Sequence, residues 1–280
     1  MVEKIIDFQI PTERIELYKT LKEKYNPEGS KLRDYQLQLL RAIKAFDCFC
    51  RENNIFYTLA YGSLLGAVRH KGFIPWDDDM DIWMDRENYD KLCSLMKGTS
   101  NLVTDEIGFT FGTRCVMWYP PFAYIDVFVV DACPNNPFLR FIKQHTAEVV
   151  NMLIKARTRL SARNFSKPKL WFVFMPFSLI LTGGGWHNVL RRVSGWFTCG
   201  KESKCLQVQV YNECVSSIWH RYPSSAFSQI VYADFEGIKL PIPVGYEELL
   251  RVRYGDYMSL PKKLHVHGFL DNVPINKIEE

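Results

Sequence analysis

Apolar residues recur at helical spacing over residues 32–53, where Leu39, Leu40, Ile43, Phe46 and Phe49 fall along one stripe. The stripe predicts a long amphipathic helix, preceded by a shorter one over residues 11–25. The period then changes. Residues 56–60 read as a strand, 62–68 as a turn and helix, and 81–84 as a second strand. Residues 86–97 are helical in pattern, with Asp85 placed to cap the helix. Short strands are expected near 109–118, and a strongly apolar one over 123–130.

The character of the chain changes after Pro134. Residues 137–163 predict a long basic helix. The apolar run LWFVFMPFSLILT covers 170–182, the glycines at 183–185 break it, and 186–197 predict a second helix. Residues 201–220 read as helical. A strand near 227–240 and a helix over 246–254 close the pattern. No internal repeat or low-complexity linker interrupts it. The expected class is α+β: a mixed sheet flanked by helices, with an added helical lobe. In a single catalytic domain over 1–280, the core would cover about 32–135, the lobe about 136–225 and a C-terminal completion 226–280.

Composition narrows the possibilities. With 47% hydrophobic and 24% charged residues, the chain of 280 residues is globular, which excludes a disordered or collagen-like chain. A net charge of +4 is no polybasic nucleic-acid footprint, but it allows anionic ligands. The eight cysteines are scattered, and no basic run followed by an apolar core opens the chain, so a cytoplasmic protein with free thiols is expected. Cys199, Cys205 and Cys214 could supply three zinc ligands, but without a CxxC pair buried thiols are the favoured reading.

The chemistry concentrates in YGSLLGAVRHKGFIPWDDDMD, residues 61–81. Gly62 and Ser63 follow a strand and open a helix, where backbone N–H groups favour a phosphate. On an extended chain Asp79 and Asp81 share one face, with Asp77 able to approach, while Met80, Ile82 and Met84 enter the core. Asp126 stands alone among apolar residues in its strand and needs a partner. Two like charges about 4 Å apart repel by about 4 kcal/mol at a dielectric near 20, a penalty that a divalent cation removes. Oxygen-only ligands suit Mg²⁺ or Mn²⁺. Arg69 could pair with a phosphate, or be a solvent-facing helix end with Lys71; His70 has no evident partner. Tyr254 and Tyr257 flank a turn at Gly255. His265 and His267 read as plain surface.

Gly-Ser, then Asp-x-Asp, then a strand Asp is the nucleotidyltransferase pattern. YGSLLGAVRHKGFIPWDDDMDI, YIDVFVVDACP and VGYEELLRVRYGDYMSLP together resemble the LicD family of phosphotransferases, with fukutin and the fukutin-related protein as distant relatives. The resemblance implies transfer of phosphocholine or a polyol phosphate from a CDP-activated donor to a sugar hydroxyl of a cell-surface glycan, releasing CMP. It implies that Asp79 and Asp81 hold Mg²⁺ with Asp77 assisting, that Asp126 completes the site as ligand or base, and that Gly62 and Ser63 touch the diphosphate. The competing reading is a nucleotidyltransferase that moves NMP from an NTP and releases pyrophosphate. A third is a glycan-binding protein without activity, which the intact acids argue against. A choline cation would suit the faces of Trp76, Trp83 or Trp118.

The run over 170–182 reaches only about 20 Å as a helix, short of about 30 Å of hydrocarbon. In 186–197, Trp186, Val189, Leu190, Val193 and Phe197 share one face, with Arg191 and Arg192 elsewhere. Two readings follow: helices that cover the sheet, or peripheral contact of 170–197 with the inner membrane face, which a lipid-linked acceptor would favour.

Overall fold

The structure is a computed structural model and describes residues 4–96, 102–105, 114–117, 123–158, 168–197, 204–211 and 217–260. In chain order the elements are β1 (Ile5–Ile6), α1 (Thr12–Tyr25), α2 (Lys31–Glu52), β2 (Thr58–Leu59), α3 (Tyr61–His70), β3 (Asp81–Asp85), α4 (Arg86–Met96), β4 (Leu102–Asp105), β5 (Arg114–Met117) and β6 (Ala123–Ala132). Then come α5 (Pro137–Thr158), α6 (Pro168–Ser178), α7 (Gly183–Ser194), β7 (Cys205–Tyr211), β8 (Ser217–Pro223), β9 (Ile230–Phe235), β10 (Ile238–Pro243) and α8 (Tyr246–Tyr254). Helices with small mixed sheets make the fold α+β. The chain divides into two units, one of residues 1–104, 114–127 and 226–280, the other of 105–113 and 128–225.

In the first unit β2, β3, β6 and β5 are hydrogen-bonded neighbours in that order, with β2–β3 and β5–β6 antiparallel. A second small sheet runs β1, β9, β10, with β1 parallel to β9. The apolar stripe of α2 is buried through Leu32, Leu39, Ile43, Phe46 and Cys50, as are Leu59, Leu64, Met80 and Ile82. Ser30 caps α2 by accepting from the Arg33 N–H, and Asp85 caps α4 by accepting from the Asn88 N–H. The sequence expectation of one strand near 227–240 becomes two. Glu236 and Gly237 both have positive φ, 52° and 80°, the requirement of a two-residue hairpin turn of type I′.

In the second unit Ala147, Val150 and Ile154 of α5 form a core with Leu190 and Val193 of α7, flanked by Trp186 and Val189. Residues 201–220 are not helical as expected. Over the described residues they are the antiparallel β7–β8 hairpin. Leu206, Val208 and Val210 alternate with Gln207 and Gln209, a period of two that no helix face can use. The glycines at 183–185 also do not break the chain: they open α7, which Thr182 caps by accepting from the Gly185 N–H.

Two polar contacts of the first unit hold the loop between α3 and β3. Arg33 of α2 makes a bidentate pair with Glu236 at the β9–β10 turn, at 3.2 and 2.9 Å. The Glu236 N–H in turn donates to the Lys71 carbonyl at 2.8 Å. One turn along α2, the buried Gln36 amide donates to the carbonyls of Ile74 and Asp77 at 3.2 and 2.8 Å, and its oxygen accepts from Asn26 at 2.7 Å. Arg33→Ala should therefore destabilise the protein by about 3 kcal/mol, because Glu236 loses its buried partner. Glu236→Ala should cost less than the Arg33 change, since Glu28 also pairs with Arg33 at 3.1 Å. Urea unfolding of the two variants and the double variant checks this: the double should cost less than the two singles added.

Candidate active site

The site is built where β2 ends and α3 begins. The Ala60 N–H donates to the Asp81 carbonyl at 2.9 Å, and the Asp81 N–H donates to Ser63 Oγ at 2.9 Å. The start of α3 and the start of β3 are thus stitched together. No side chain caps α3, so its start is an uncapped positive dipole end. Tyr61, the first residue of α3, has φ 39°, a left-handed backbone that costs a non-glycine residue about 1–3 kcal/mol. Its ring stands edge-on to Trp83 with centroids 5.1 Å apart.

Gly62 is a close-approach glycine. A Cβ there would lie 2.7 Å from Asp77 Oδ2, closer than non-bonded atoms tolerate. Asp77 keeps partial exposure as a residue, but its carboxyl group is enclosed. Burial, then the neighbouring Asp79 carboxylate to which it is hydrogen-bonded, pushes the Asp77 carboxyl well above the ordinary carboxylate range. Asp78 is buried as well. Asp126 reaches the same stretch through the backbone: its N–H donates to the Met80 carbonyl at 2.8 Å, and it is half-buried between Ile125 and Val127, both fully inside.

Of the expected acids, the structure brings Asp77 and Asp79 together. Residues 77–80 are not strand, because β3 starts only at Asp81, so alternation does not set Asp79 and Asp81 on a common face. The carboxyls in contact are Asp77 and Asp79. Among the described residues no group of three or more His, Cys, Asp or Glu side chains is arranged to hold a metal ion. The chemistry of the pair itself, hard oxygens whose repulsion a cation relieves, fits Mg²⁺ or Mn²⁺.

Several other residues stand differently from their expected places. Arg69 is neither a surface group nor an arm on the phosphate side. It is buried, and its guanidinium donates to His70 Nε2 at 2.9 Å and to the carbonyls of Tyr257 and Ser259 at 3.0 and 3.1 Å. His70, without a partner in the sequence, accepts that bond and packs against Tyr18 and Trp76, centroids 4.3 and 6.4 Å away. Burial, then the Arg69 charge, holds its imidazole well below 6.5. Ser63 is buried, with its oxygen engaged by Asp81. Trp76 and Trp83 are core residues, 4% and 3% exposed, which leaves no open ring face for a choline cation. Gly255 turns the chain as expected, at φ 65°. Trp118, Cys199, Cys214, His265 and His267 lie outside the described residues, as does the Cys205 side chain. Gln36 and Tyr61 were missed by sequence reasoning. The signal for Gln36 was an amide on the apolar stripe of α2, between Leu32 and Leu39. Tyr61 gave none, since positive φ leaves no mark on a tyrosine.

Two predictions follow from the Gly62–Asp77 contact. The Asp77 carboxyl retains in the folded state a proton that the unfolded chain, at an ordinary value of 3.8, releases. Folding is therefore penalised as pH rises above 3.8 toward the raised value, and Asp77→Asn removes that penalty. In EDTA at neutral pH this variant should melt higher, by about 2–4 °C for each kcal/mol recovered, and its stability should vary less with pH. An unchanged or lower melting temperature would show that the carboxyl is not enclosed. Gly62→Ala should displace the Asp77 carboxyl. Its stability cost should shrink in the Gly62→Ala, Asp77→Gly double variant, which thermal unfolding can measure.

With this geometry in place, comparison with known proteins gives the site a context. A family model described as LicD/FKTN/FKRP, nucleotidyltransferase domain, matches residues 54–173, the span that holds Gly62, Asp77, Asp79, Asp81 and Asp126. The lipopolysaccharide cholinephosphotransferase LicD of Haemophilus influenzae is 28% identical over 262 residues, covering 82% of this chain and 92% of the relative. Uncharacterised proteins of Rickettsia prowazekii and Rickettsia typhi are 42% and 46% identical over 66 and 52 residues, which is 24% and 19% of this chain and 23% and 17% of those proteins. A match along most of the chain, and a domain match seated on the acid cluster, make the chain similar to the LicD family.

Proposed function

We propose that the chain transfers phosphocholine, or another phospho-alcohol, from a CDP-activated donor to a hydroxyl of a cell-surface glycan such as lipopolysaccharide. The observation that carries this reading is the Asp77–Asp79 carboxyl pair seated against Gly62 at the uncapped start of α3, inside the matched LicD-type domain. The near full-length likeness to a named cholinephosphotransferase supports the choice of group.

In this reaction the acceptor oxygen forms a bond to the phosphorus that bears the alcohol. The P–O bond to CMP breaks, and CMP leaves with the electron pair. Asp77 and Asp79, whose carboxyls meet, are the residues that would hold Mg²⁺ or Mn²⁺. A bound divalent ion supplies charge neutralisation for the diphosphate and the departing CMP. The protein's own part is positioning. Gly62 admits the acids to the start of α3, whose first-turn N–H groups suit diphosphate oxygens. Ser63 braces Asp81 through its backbone, and Gln36 fixes the carbonyl of Asp77. Asp126, half-buried rather than enclosed, is the carboxylate suited to take the acceptor proton.

Purified protein with CDP-choline, Mg²⁺ and a glycan acceptor should release CMP. Pyrophosphate from CTP without CMP would instead establish the nucleotidyltransferase alternative. EDTA should silence turnover and Mg²⁺ or Mn²⁺ restore it. Asp79→Asn should lower kcat at least about a hundredfold. Asp126→Asn should lower kcat by about 10²–10⁴-fold while calorimetry still detects CDP-choline. Near-normal activity in either variant would remove that residue from the mechanism.

A further inference from the structure

The second unit carries an apolar surface that its own fold leaves uncovered. On α6 and the turn that follows, Phe172, Val173, Phe177, Leu179, Ile180 and Leu181 are 66%, 55%, 58%, 58%, 69% and 37% exposed. Residues 172, 173, 177 and 180 follow helical spacing and define one outward stripe, continued past the helix by the 3.3 and 3.2 Å turn bonds Leu179 N–H to Pro176 and Ile180 N–H to Phe177. Six large apolar side chains in ten residues are not the scattered exposure normal for a protein surface. The stripe is held rigidly from behind. The Trp171 indole donates to the Ala156 carbonyl at 3.2 Å, and the carbonyl of Ser178 accepts from Trp186 at 2.9 Å and Arg157 at 3.3 Å.

The other apolar face of this region is already used. Leu190 and Val193 of α7 are buried against α5, with Trp186 and Val189 packed around them. Of the two readings of the α7 face, burial holds for Trp186, Val189, Leu190 and Val193, while Phe197 beyond the helix is 46% exposed. What α7 presents outward is basic: Arg191 and Arg192 are exposed, as is Lys169 at the start of α6.

Charge selects the occupant. Residues 137–197 contain ten Lys and Arg and a single acid, Glu148, whereas in the rest of the chain acids outnumber Lys and Arg by five. A second copy of this chain docked through the same segment would bring the same excess of positive charge to the contact. A polyanion without an apolar phase would leave the stripe in water. A surface that is both apolar and negative satisfies both features. We propose that α6 and residues 179–181 insert shallowly into an anionic lipid leaflet, with Lys169, Arg191 and Arg192 at the headgroups. This inference depends on neither the donor nor the metal, and its test reads no activity.

The test is flotation of the full chain with phosphatidylglycerol–phosphatidylcholine vesicles and with phosphatidylcholine alone. Binding should require phosphatidylglycerol and fall at about 1 M salt, where screening acts within about 3 Å. Arg191→Glu with Arg192→Glu should weaken it at least about fivefold per position. Phe172→Ser, Phe177→Ser and Ile180→Ser together should abolish flotation without lowering the melting temperature, since these side chains face water in the fold. Three outcomes would overturn the proposal. The protein stays in solution with anionic vesicles at low salt. The triple serine variant floats as well as wild type and both bind heparin equally, which marks a simple polyanion site. Sedimentation finds a dimer that the triple serine variant dissolves, which assigns the stripe to a second copy. Bromolipid quenching of wild-type tryptophan fluorescence reads insertion without any variant, and its absence counts against the proposal too.

Discussion

An enclosed carboxyl at Asp77 is the constraint on which the rest of the site depends. It lies where a Cβ at position 62 would stand, so glycine as the second residue of α3 is what lets the carboxyl keep that place. It also lies beside the half-buried Asp79, so two like charges share one space. Neither placement is favourable by itself, because burial and like charge both raise the cost of ionisation. The surrounding structure has to hold the loop against that cost. Gln36 does so from α2 by taking two loop carbonyls, and Arg33 does so through Glu236 and the hairpin turn.

This explains why so many polar groups are buried in a unit this small. Asn26, Arg33, Gln36, Ser63 and Arg69 are all nearly inaccessible, and each has a named hydrogen-bond partner. Gln36, Ser63 and Arg69 engage backbone groups, whereas Asn26 and Arg33 bond to other side chains. Arg69 illustrates the distinction. A basic residue near a nucleotide-type motif invites a phosphate, yet its guanidinium ties α3 to the carbonyls of the 257–259 turn. A strained Tyr61 and a pair of crowded acids are features that stability alone would remove, which is how sites with chemistry to perform differ from their scaffolds.

The second unit obeys a different balance. Its helices bury one apolar face between α5 and α7 and leave another on α6 open. Indole N–H groups bonded to backbone carbonyls anchor α6, so its outward stripe is a fixed feature of the fold. No helix among the described residues is long and apolar enough to cross a membrane.

Much of this was legible in the sequence, and the reasons are local. The helices α2 and α4 follow from apolar spacing and caps that act within a few residues, and α1 and α8 fall where the pattern puts them. The motif residues Gly62, Asp77, Asp79, Asp81 and Asp126 announced themselves by type and order, and so did the likeness to the LicD family. The β7–β8 hairpin was legible too, in the alternation of Val208 and Val210 with glutamines, but a longer helical reading hid it. Tertiary structure alone decided which carboxyls meet, because the chain from 77 to 80 is irregular and has no period from which to read a face. It also decided that Arg69, Trp76 and Trp83 are interior, and that α7 spends its apolar face on α5 while α6 does not. Each of these depends on what a distant segment brings to the contact, and a side chain's own neighbours in sequence carry no record of that.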